Sequence, residues 1–394
     1  MQVCAIISEY NPFHAGHLYQ IREIRRRLPG CLIVSIMSGN YVQRGEPALW
    51  DKYLRAQCAV TADGPDLVIE LPIPAALSSA EGFARGGVQL AAALGCVTHL
   101  SFGCETGTEK SLMQLAACLD SATFDDHLRK ELTNGISYAQ AASRAAAVLC
   151  PDCASLLDSP NDMLAVQYCR ALRKIAPSIQ PLAVRRYGAA HDGAPIDEIP
   201  SASYIRSLFH TGRDTEAISL LPDACRNAGK TARRHSWADL DDTVLRYLRR
   251  ISPEYIRTLP DVSEGLENRF AAACRDAADL SEAWDLARSR RYPLSRIRRL
   301  TLCAYLGITD ALSSLPPSFV TVLAMNQQGR QILKQLKTSC SLPVIVKPTQ
   351  AHTFPPGTPA QQLWTLTMQA DDQYYFPSPA GTGWKKTPFC AKDK

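Results

Sequence analysis

Strands and helices alternate regularly over the first hundred residues, and this alternation constrains the fold more than any other feature. β-rich runs occupy residues 2–7, 31–37, 66–71 and 97–102, and helical segments occupy residues 16–28, 51–62 and 80–94. The strand runs are almost continuously apolar, as expected when helices cover both faces of a parallel sheet. The sequence therefore predicts the α/β class, with a Rossmann-like parallel sheet at its N-terminal end.

The later part of the chain has a different pattern. A capped helix is predicted to begin at residues 160–162, a strand to cover 180–186 and a helix to cover 203–212. Apolar spacing of three and four residues then predicts helices through 214–340, for example over Leu240–Leu248, Leu280–Leu286 and Ile297–Leu306, followed by a short strand at 342–346. We expect two domains, 1–213 with the sheet and 214–394 mainly helical, because 394 residues exceed what one core organises. The last forty residues give no prediction.

Bulk properties exclude several classes of protein. The N-terminus lacks the pattern of a signal peptide, and no apolar run reaches the roughly 20 residues of a membrane span. A net charge of +5 permits an anionic partner without requiring one. The 14 cysteines are scattered, which favours reduced thiols and a cytoplasmic location. Cys150 and Cys153 have metal or redox spacing, but no second pair or nearby histidines follow, so we interpret the pair as coincidental.

The strongest chemical signal is His14-Ala15-Gly16-His17, between the first strand and the first helix. In an open parallel sheet, ligands bind at the carboxyl ends of the strands, and a helix N-terminus there attracts phosphate. Two histidines three residues apart lie on the same side of the first helical turn. We predict that His14 and His17 are catalytic and donate hydrogen bonds to charge that develops during phosphate chemistry. The alternative is that His14 only caps the helix and His17 is an interior histidine.

A second segment, Ser201-Ala202-Ser203-Tyr204-Ile205-Arg206, closes the predicted sheet domain. Hydroxyls at a helix start with an arginine one turn later form another anion-binding terminus. The alternative is an ordinary serine cap with a surface arginine. Together with the histidine motif, the segment resembles those of the HxGH nucleotidyltransferase superfamily of HUP-type domains, which includes the class I aminoacyl-tRNA synthetases.

A narrower resemblance rests on several further blocks. They begin at Ile7 (ISEYNPFH), Met37 (MSGNYVQRGEPA), Asp66 (DLVIELP), Phe102 (FGCE), Pro160 (PNDML) and Gly265 (GLENR). Such a set in this order is similar to the bacterial tRNA(Met) cytidine acetate ligases. The resemblance implies that acetate attacks the α-phosphate of ATP to give acetyl-adenylate. The wobble cytidine of elongator tRNA(Met) then receives the acetyl group, forming N4-acetylcytidine.

The resemblance also implies which residues form the ATP site, to which we add the serine–arginine segment. The expected ATP-binding residues are Ile7, Ser8, Glu9, Tyr10, Asn11, Pro12, Phe13, His14, Ala15, Gly16, His17, Leu18, Tyr19, Gln20, Gly103, Asn161, Arg185, Arg186, Ser201, Ser203 and Arg206. Asn161 has an alternative role as a helix N-cap, and Arg185 and Arg186 as a solvated pair at a strand end. Mg²⁺ is expected with ATP, although the sequence contains no metal-binding motif.

The remaining signal is an arginine segment, residues 288–299, in which six arginines fall within twelve residues. Arginine grips RNA phosphate and stacks on bases, so we expect tRNA contacts here. The arginines assigned to tRNA binding are Arg290, Arg291, Arg296, Arg298 and Arg299. The alternative for these residues is a solvated helix face.

Two other functions remain open. A small-molecule adenylyltransferase that makes a nucleotide cofactor would use the same sheet, although about 180 further residues and the arginine segment count against it. A non-catalytic nucleotide- or RNA-binding protein would not need the intact histidine pair.

Overall fold

The computed structural model describes residues 2–136, 138–186, 200–263, 265–376, 378–379, 381–383 and 386–391. The strands are β1 (Val3–Ser8), β2 (Leu32–Ser38), β3 (Tyr41–Val42), β4 (Glu46–Pro47), β5 (Leu67–Leu71), β6 (His99–Cys104), β7 (Gln180–Arg185), β8 (Val320–Met325), β9 (Val344–Ile345) and β10 (Phe389–Cys390).

The helices fall into two groups along the chain. Those up to residue 210 are α1 (Ala15–Arg27), α2 (Lys52–Thr61), α3 (Ile73–Ala76), α4 (Ala80–Ala93), α5 (Glu109–Leu119), α6 (Ala122–Leu132), α7 (Tyr138–Leu149), α8 (Pro160–Ile175) and α9 (Ala202–His210). The later ones are α10 (Asp214–Ser219), α11 (Asp223–Thr231), α12 (Asp241–Leu248), α13 (Pro253–Arg257), α14 (Leu266–Asp276), α15 (Leu280–Ala287), α16 (Leu294–Leu306), α17 (Asp310–Ser313), α18 (Gln327–Ser339) and α19 (Pro359–Tyr375). Short 3₁₀ turns lie at Pro151–Leu157, Trp237–Asp239 and Pro348–Thr353.

The main sheet has the strand order β10-β8-β5-β2-β1-β6-β7, with β9 paired to β8. The strands β5, β2, β1, β6 and β7 run parallel. In contrast, β8 runs antiparallel to β5. The sheet is therefore mainly parallel, which confirms the predicted α/β class with a Rossmann-like sheet.

Alternate residues of the strands face two separate cores. Val34 and Ile36 of β2 pack with α4, α5 and α8 on one face. Ile33 of the same strand packs on the other face with Ile21 and Ile24 of α1. Both faces are covered, which explains why the strands are apolar along their whole length.

One prediction about local structure and one alternative are wrong. Residues 214–340 are not entirely helical, because Val320–Met325 forms β8 and extends the sheet beyond β5. The cap of α8 is Ser159 rather than Asn161, since the Ser159 hydroxyl accepts a hydrogen bond from the Asp162 backbone N–H at 3.3 Å. The predicted strand at 342–346 exists in shorter form as β9.

The residues after 240 build a third core from α12 to α16, joined by α19. A buried ion-pair network connects α19 to the sheet. Lys52 Nζ lies 2.7 Å from Glu70 Oε1 and 2.8 Å from Asp371 Oδ2, and the Asn40 amide donates to Asp371 Oδ1 at 2.8 Å. Burial alone would lower the pKa of Lys52, but Asp371 and Glu70 outweigh it and raise that pKa. The lysine therefore stays charged and holds the two carboxylates together.

Candidate active site

A cavity of about 290 Å³ opens at the carboxyl ends of β1, β6 and β7, where α1, α8 and α9 begin. Its lining contains Ile6, Ile7, Ser8, Glu9, Tyr10, Asn11, His14, Gly16, His17, Tyr19, Gln20, Gln43, Arg44, Phe83, Phe102, Gly103, Asn161, Leu164, Tyr168, Val184, Arg185, Arg186, Pro200, Ser201, Ala202, Ser203 and Arg206. Hereafter this space is called the cavity. Converging helix N-termini give it a positive potential suited to phosphate.

Backbone hydrogen bonds orient both histidines of the motif. His14 is the N-cap of α1, and its Nδ1 accepts a hydrogen bond from the Gly16 N–H at 3.0 Å. His17 Nδ1 accepts from the His14 N–H at 3.2 Å. The two ring centroids are 4.0 Å apart. His14 therefore caps the helix and also lines the cavity, so its capping role does not exclude a role in the cavity.

These contacts also fix the protonation of the two rings. A nitrogen that accepts a hydrogen bond carries no proton, so a neutral ring bound through Nδ1 has its N–H at Nε2. Burial, followed by the charges of Arg186 and Arg206, lowers the pKa of His14 to about 3. Burial and the neighbouring His14 lower the pKa of His17 well below its ordinary value. At neutral pH both residues are uncharged donors of Nε2–H.

Two aromatic residues that precede the motif pack against the His17 ring. Phe13 stacks on His17 with 5.4 Å between ring centroids, and Tyr10 meets His17 edge-on at 4.9 Å. Tyr10 has a φ of 45°, a left-handed conformation that is uncommon outside glycine and recurs at functional sites. The sequence between strand and helix thus forms a rigid support for the imidazoles.

Asn11 connects the β1 end of the cavity to α9. Its Oδ1 accepts a hydrogen bond from the Leu49 N–H at 2.8 Å, and its backbone carbonyl accepts from Arg206 Nη1 at 2.8 Å. The buried Asn11 Nδ2 has no hydrogen-bond partner within the described part of the chain. Ser201 caps α9 by accepting from the Tyr204 N–H at 3.1 Å. The predicted serine–arginine segment is therefore part of the cavity wall.

The opposite wall is built where β6 and β7 end. A Cβ on Gly103 would lie 3.2 Å from Arg186 Cγ, so glycine lets the Arg186 side chain cross the strand end closely. Asn161 Nδ2 donates to Glu105 Oε1 at 2.6 Å, which leaves Asn161 Oδ1 as an acceptor. Buried Asp162 accepts from the Glu105 and Thr106 N–H groups at 2.6 and 3.0 Å and thereby fixes the loop.

Most of the expected ATP-site residues lie together. Of that set, Pro12, Phe13, Ala15 and Leu18 do not line the cavity. These four belong to the loop and helix that carry the histidines. The lining also includes Gln43, Arg44, Phe83 and Tyr168, which were not assigned to the ATP site. Gln43 and Arg44 lie in the block that begins at Met37, which carries part of the family resemblance, whereas the sequence pattern around Phe83 and Tyr168 is that of ordinary helix core.

An unpredicted arginine organises the strand ends behind the cavity. The completely buried Arg55 side chain donates to the backbone carbonyls of Glu9, Ser38, Gly39 and Trp50. Burial lowers the pKa of this guanidinium, although nearby Tyr374 and Glu9 oppose the shift. Arg55 holds the loops after β1 and β2 in fixed positions.

The arginine segment is less uniform than expected. Arg290 and Arg291 are exposed in the loop before α16. Arg296 donates to the Asp261 carbonyl and lies over the Tyr292 ring at 5.1 Å. Arg298 and Arg299 contact other parts of the protein, described below, and their side chains are 27% and 11% exposed.

Within the described residues, no group of three or more His, Cys, Asp or Glu is placed to hold a metal ion. Cys150 and Cys153 are buried free thiols. Among the described helices, none combines the length and the apolar character required to cross a bilayer.

The geometry is that of a phosphate-handling site on a parallel sheet, and comparison with known proteins identifies its class. The family model described as HIGH Nucleotidyl Transferase matches residues 1–386. The chain therefore belongs to the HIGH nucleotidyltransferases.

Within that class, similar proteins define a narrower family. A tRNA(Met) cytidine acetate ligase of Alkaliphilus metalliredigens is 35% identical over 400 residues, covering 95% of this chain and 94% of its relative. Another from Acetivibrio thermocellus is 34% identical over 367 residues, with 88% of each chain covered. The chain belongs to the tRNA(Met) cytidine acetate ligase family.

Solved structures agree with this assignment. The crystal structure of Thermotoga maritima TmcAL in its apo form has a TM-score of 0.93 and 27% identity, with all of both chains covered. A second form of that protein is bound with alpha-thio ATP and has a TM-score of 0.90 at 27% identity, covering 99% of each chain.

Proposed function

We propose that this protein is an ATP-dependent ligase that activates acetate as acetyl-adenylate and transfers the acetyl group to N4 of the wobble cytidine of elongator tRNA(Met). The observation that supports the adenylation step most directly is the histidine pair. Both rings are held through Nδ1 and present neutral Nε2–H donors at the N-terminus of α1.

In the first step, an acetate oxygen attacks the α-phosphorus of ATP. The bond between the α-phosphorus and the bridging oxygen breaks, and pyrophosphate leaves. His14 and His17 donate hydrogen bonds to the charge that passes to pyrophosphate, and the cationic Arg186 and Arg206 add to the positive field. We infer that ATP lies along the cavity, with the adenosine near Gly103 and Asn161 and the phosphates near α1, because these residues line it at the strand ends.

In the second step, the cytidine N4 amine attacks the acetyl carbonyl carbon of acetyl-adenylate. The bond from that carbon to the phosphate oxygen breaks, AMP leaves, and the amine loses a proton. Holding the amine against the adenylate supplies much of the rate by proximity. We infer that the tRNA approaches from the side of the arginine segment, where Arg290 and Arg291 are exposed.

Magnesium is expected to arrive with ATP. Among the described lining residues, Glu9 is the only carboxylate, and burial raises its pKa. The described part of the lining therefore offers no carboxylate cage, and the ion would be held there mainly by phosphate oxygens and water. Its contribution when bound is to neutralise charge on the triphosphate. A cytoplasmic location stays a prediction.

The test is donor specificity. Purified protein is incubated with ATP, elongator tRNA(Met) and either labelled acetate or labelled acetyl-CoA, and the tRNA nucleosides are then separated. We expect label in N4-acetylcytidine from acetate only, with one AMP formed for each acetyl group transferred.

Two results would contradict the proposal. Label entering N4-acetylcytidine from acetyl-CoA without ATP would rule out acetate activation. No labelled tRNA from either donor, with a dinucleotide formed from ATP and a small nucleotide, would instead indicate a cofactor adenylyltransferase.

A further inference from the structure

The arginine segment divides into two sets that face different parts of the molecule. Arg290 and Arg291 are exposed. Arg298 and Arg299 lie within α16 and point toward a β-hairpin, residues 41–47, formed by β3 and β4. Arg298 Nη1 lies 2.6 Å from Glu46 Oε1, and the Arg299 Nη1 donates to the Gln43 carbonyl at 3.5 Å.

The hairpin backbone packs directly on the backbone of α16. Gly45 has a φ of 74°, and a Cβ there would lie 2.5 Å from the Arg299 nitrogen and 2.6 Å from the Arg298 carbonyl carbon. The Trp237 indole N–H donates to the Gly45 carbonyl at 3.1 Å. The tip of the hairpin is therefore fixed by the helical part of the chain.

The same hairpin forms part of the cavity wall. Gln43 and Arg44 line the cavity. The Gln43 N–H donates to Glu9 Oε1 at 2.7 Å, which joins the hairpin to the loop after β1. Any displacement of the hairpin would therefore be transmitted to the loop that leads into the histidine motif.

A chain of charged groups connects the two sides. Glu46 contacts Arg298 through Oε1 and lies 3.7 Å from Arg206 Nη2 through Oε2. Arg206 in turn donates to the Asn11 carbonyl at 2.8 Å. The Glu46 and Arg298 side chains are only 22% and 27% exposed, so water screens their interaction incompletely.

We propose that Arg298 is a positioning residue for adenylate formation and not a tRNA contact. It holds Glu46, and through Glu46 and Arg206 it holds the cavity wall in its reactive arrangement. This inference rests on the proposed function for its kinetic readout. The arginine segment thus has two roles. Its exposed residues Arg290 and Arg291 bind tRNA, and its inner residue Arg298 positions the cavity wall.

The experiment compares Arg298→Met, which keeps the packing over the Trp284 ring but loses the charge, with Arg298→Lys, which keeps the charge. Arg129→Met, at a side chain that is 77% exposed and has no assigned role, is the matched control, and Arg290→Ala/Arg291→Ala is the reference for loss of tRNA affinity. Acetate-dependent exchange of pyrophosphate into ATP, without tRNA, gives kcat and KM. We expect Arg298→Met to lower kcat about ten-fold or more with little change in the KM for ATP. Arg298→Lys should recover most of the rate, and the control should match wild type.

Hydrogen exchange provides a readout that does not depend on the reaction. In Arg298→Met the amides of residues 43–49 should exchange faster, because Gln43 donates to Glu9 and Leu49 to Asn11. Unchanged kcat and unchanged amide hydrogen exchange in that variant, or a loss of tRNA affinity equal to that of Arg290→Ala/Arg291→Ala, would overturn the inference. Absence of acetate-dependent exchange in wild type would count against the proposed function instead, and the amide measurement would still test the position of the hairpin.

Discussion

The cavity and the arginine segment are both marked by short runs of sequence, but they differ in how much of their geometry is local. His14 and His17 are oriented by hydrogen bonds to backbone groups within the same helical turn. Arg298 and Arg299 are oriented by residues about 250 positions away. When the groups that orient a motif lie within the motif itself, its geometry can be predicted from residue spacing. The role of a charge cluster depends instead on the distant residues that pack against it.

The largest effect in this comparison is expected at Arg55, an arginine whose side chain is held by backbone groups outside its own helix. It donates hydrogen bonds to four backbone carbonyls. Arg55→Met would leave four backbone carbonyls, three of them buried, without this donor. We expect the free energy of unfolding to fall by about 3 kcal/mol or more, measured by urea denaturation. Arg129→Met, at a side chain that is 77% exposed, is the control and should unfold like wild type. Equal stability of both variants would mean that Arg55 is not required to hold the strand ends.

The histidines should have the next largest effect, and on catalysis rather than folding. His14→Asn keeps an oxygen able to cap α1 but removes the Nε2 donor. We expect its pyrophosphate release to fall about a hundredfold or more, as when one transition-state donor is lost. His17→Ala should have a similar effect. Variants that melt normally and retain near wild-type release would show that the imidazoles are not the phosphate donors.

The exposed arginines should show a smaller effect confined to RNA. Arg290→Ala/Arg291→Ala should weaken binding of elongator tRNA(Met) roughly ten-fold and reduce the salt dependence of binding, as expected when about two phosphate contacts are lost. Adenylation without tRNA should be unchanged. The double variant Arg129→Ala/Arg246→Ala, on exposed helix faces elsewhere, serves as the control. Wild-type affinity at low salt would indicate that the loop is simply solvated.

The smallest signal is expected from an NMR titration of His14 in the folded protein. Because the folded pKa of His14 is lowered to about 3, the folded protein should show no titration of this ring between pH 5 and 8 by NMR. The unfolded chain takes up a proton near the ordinary value of about 6.5, so this residue contributes a loss of stability as pH falls below that value. A midpoint near 6.5 for His14 in the folded protein would contradict the neutral, buried geometry.

Part of the cavity could be predicted from the sequence, again because short local segments carry its geometry. Strand ends and helix starts of a parallel sheet converge at one edge, so residues near His14, Gly103 and Arg186 were predicted to lie together. Phe83 and Tyr168 were missed because a buried aromatic on an amphipathic helix gives the same pattern whether it faces a core or a cavity.

The strand β8 was missed for a related reason. Val320–Met325 is a short apolar run that periodicity does not distinguish from a buried helix segment, and it follows a long helical region. Its partner β5 is some 250 residues earlier, and no local signal specifies such a pairing. Five arginines of the segment were assigned together to tRNA binding because spacing does not reveal which residues of α16 the hairpin covers.

The return of β8 to the sheet also has a consequence for synthesis. Until residue 325 has left the ribosome, β5 has no partner on its outer side and presents an open edge of unpaired backbone groups. A nascent chain that already contains the histidine motif and the strands β1, β2, β5, β6 and β7 is thus still exposed to pairing with another chain. Translation of the helical region is therefore the interval in which a chaperone would be needed most.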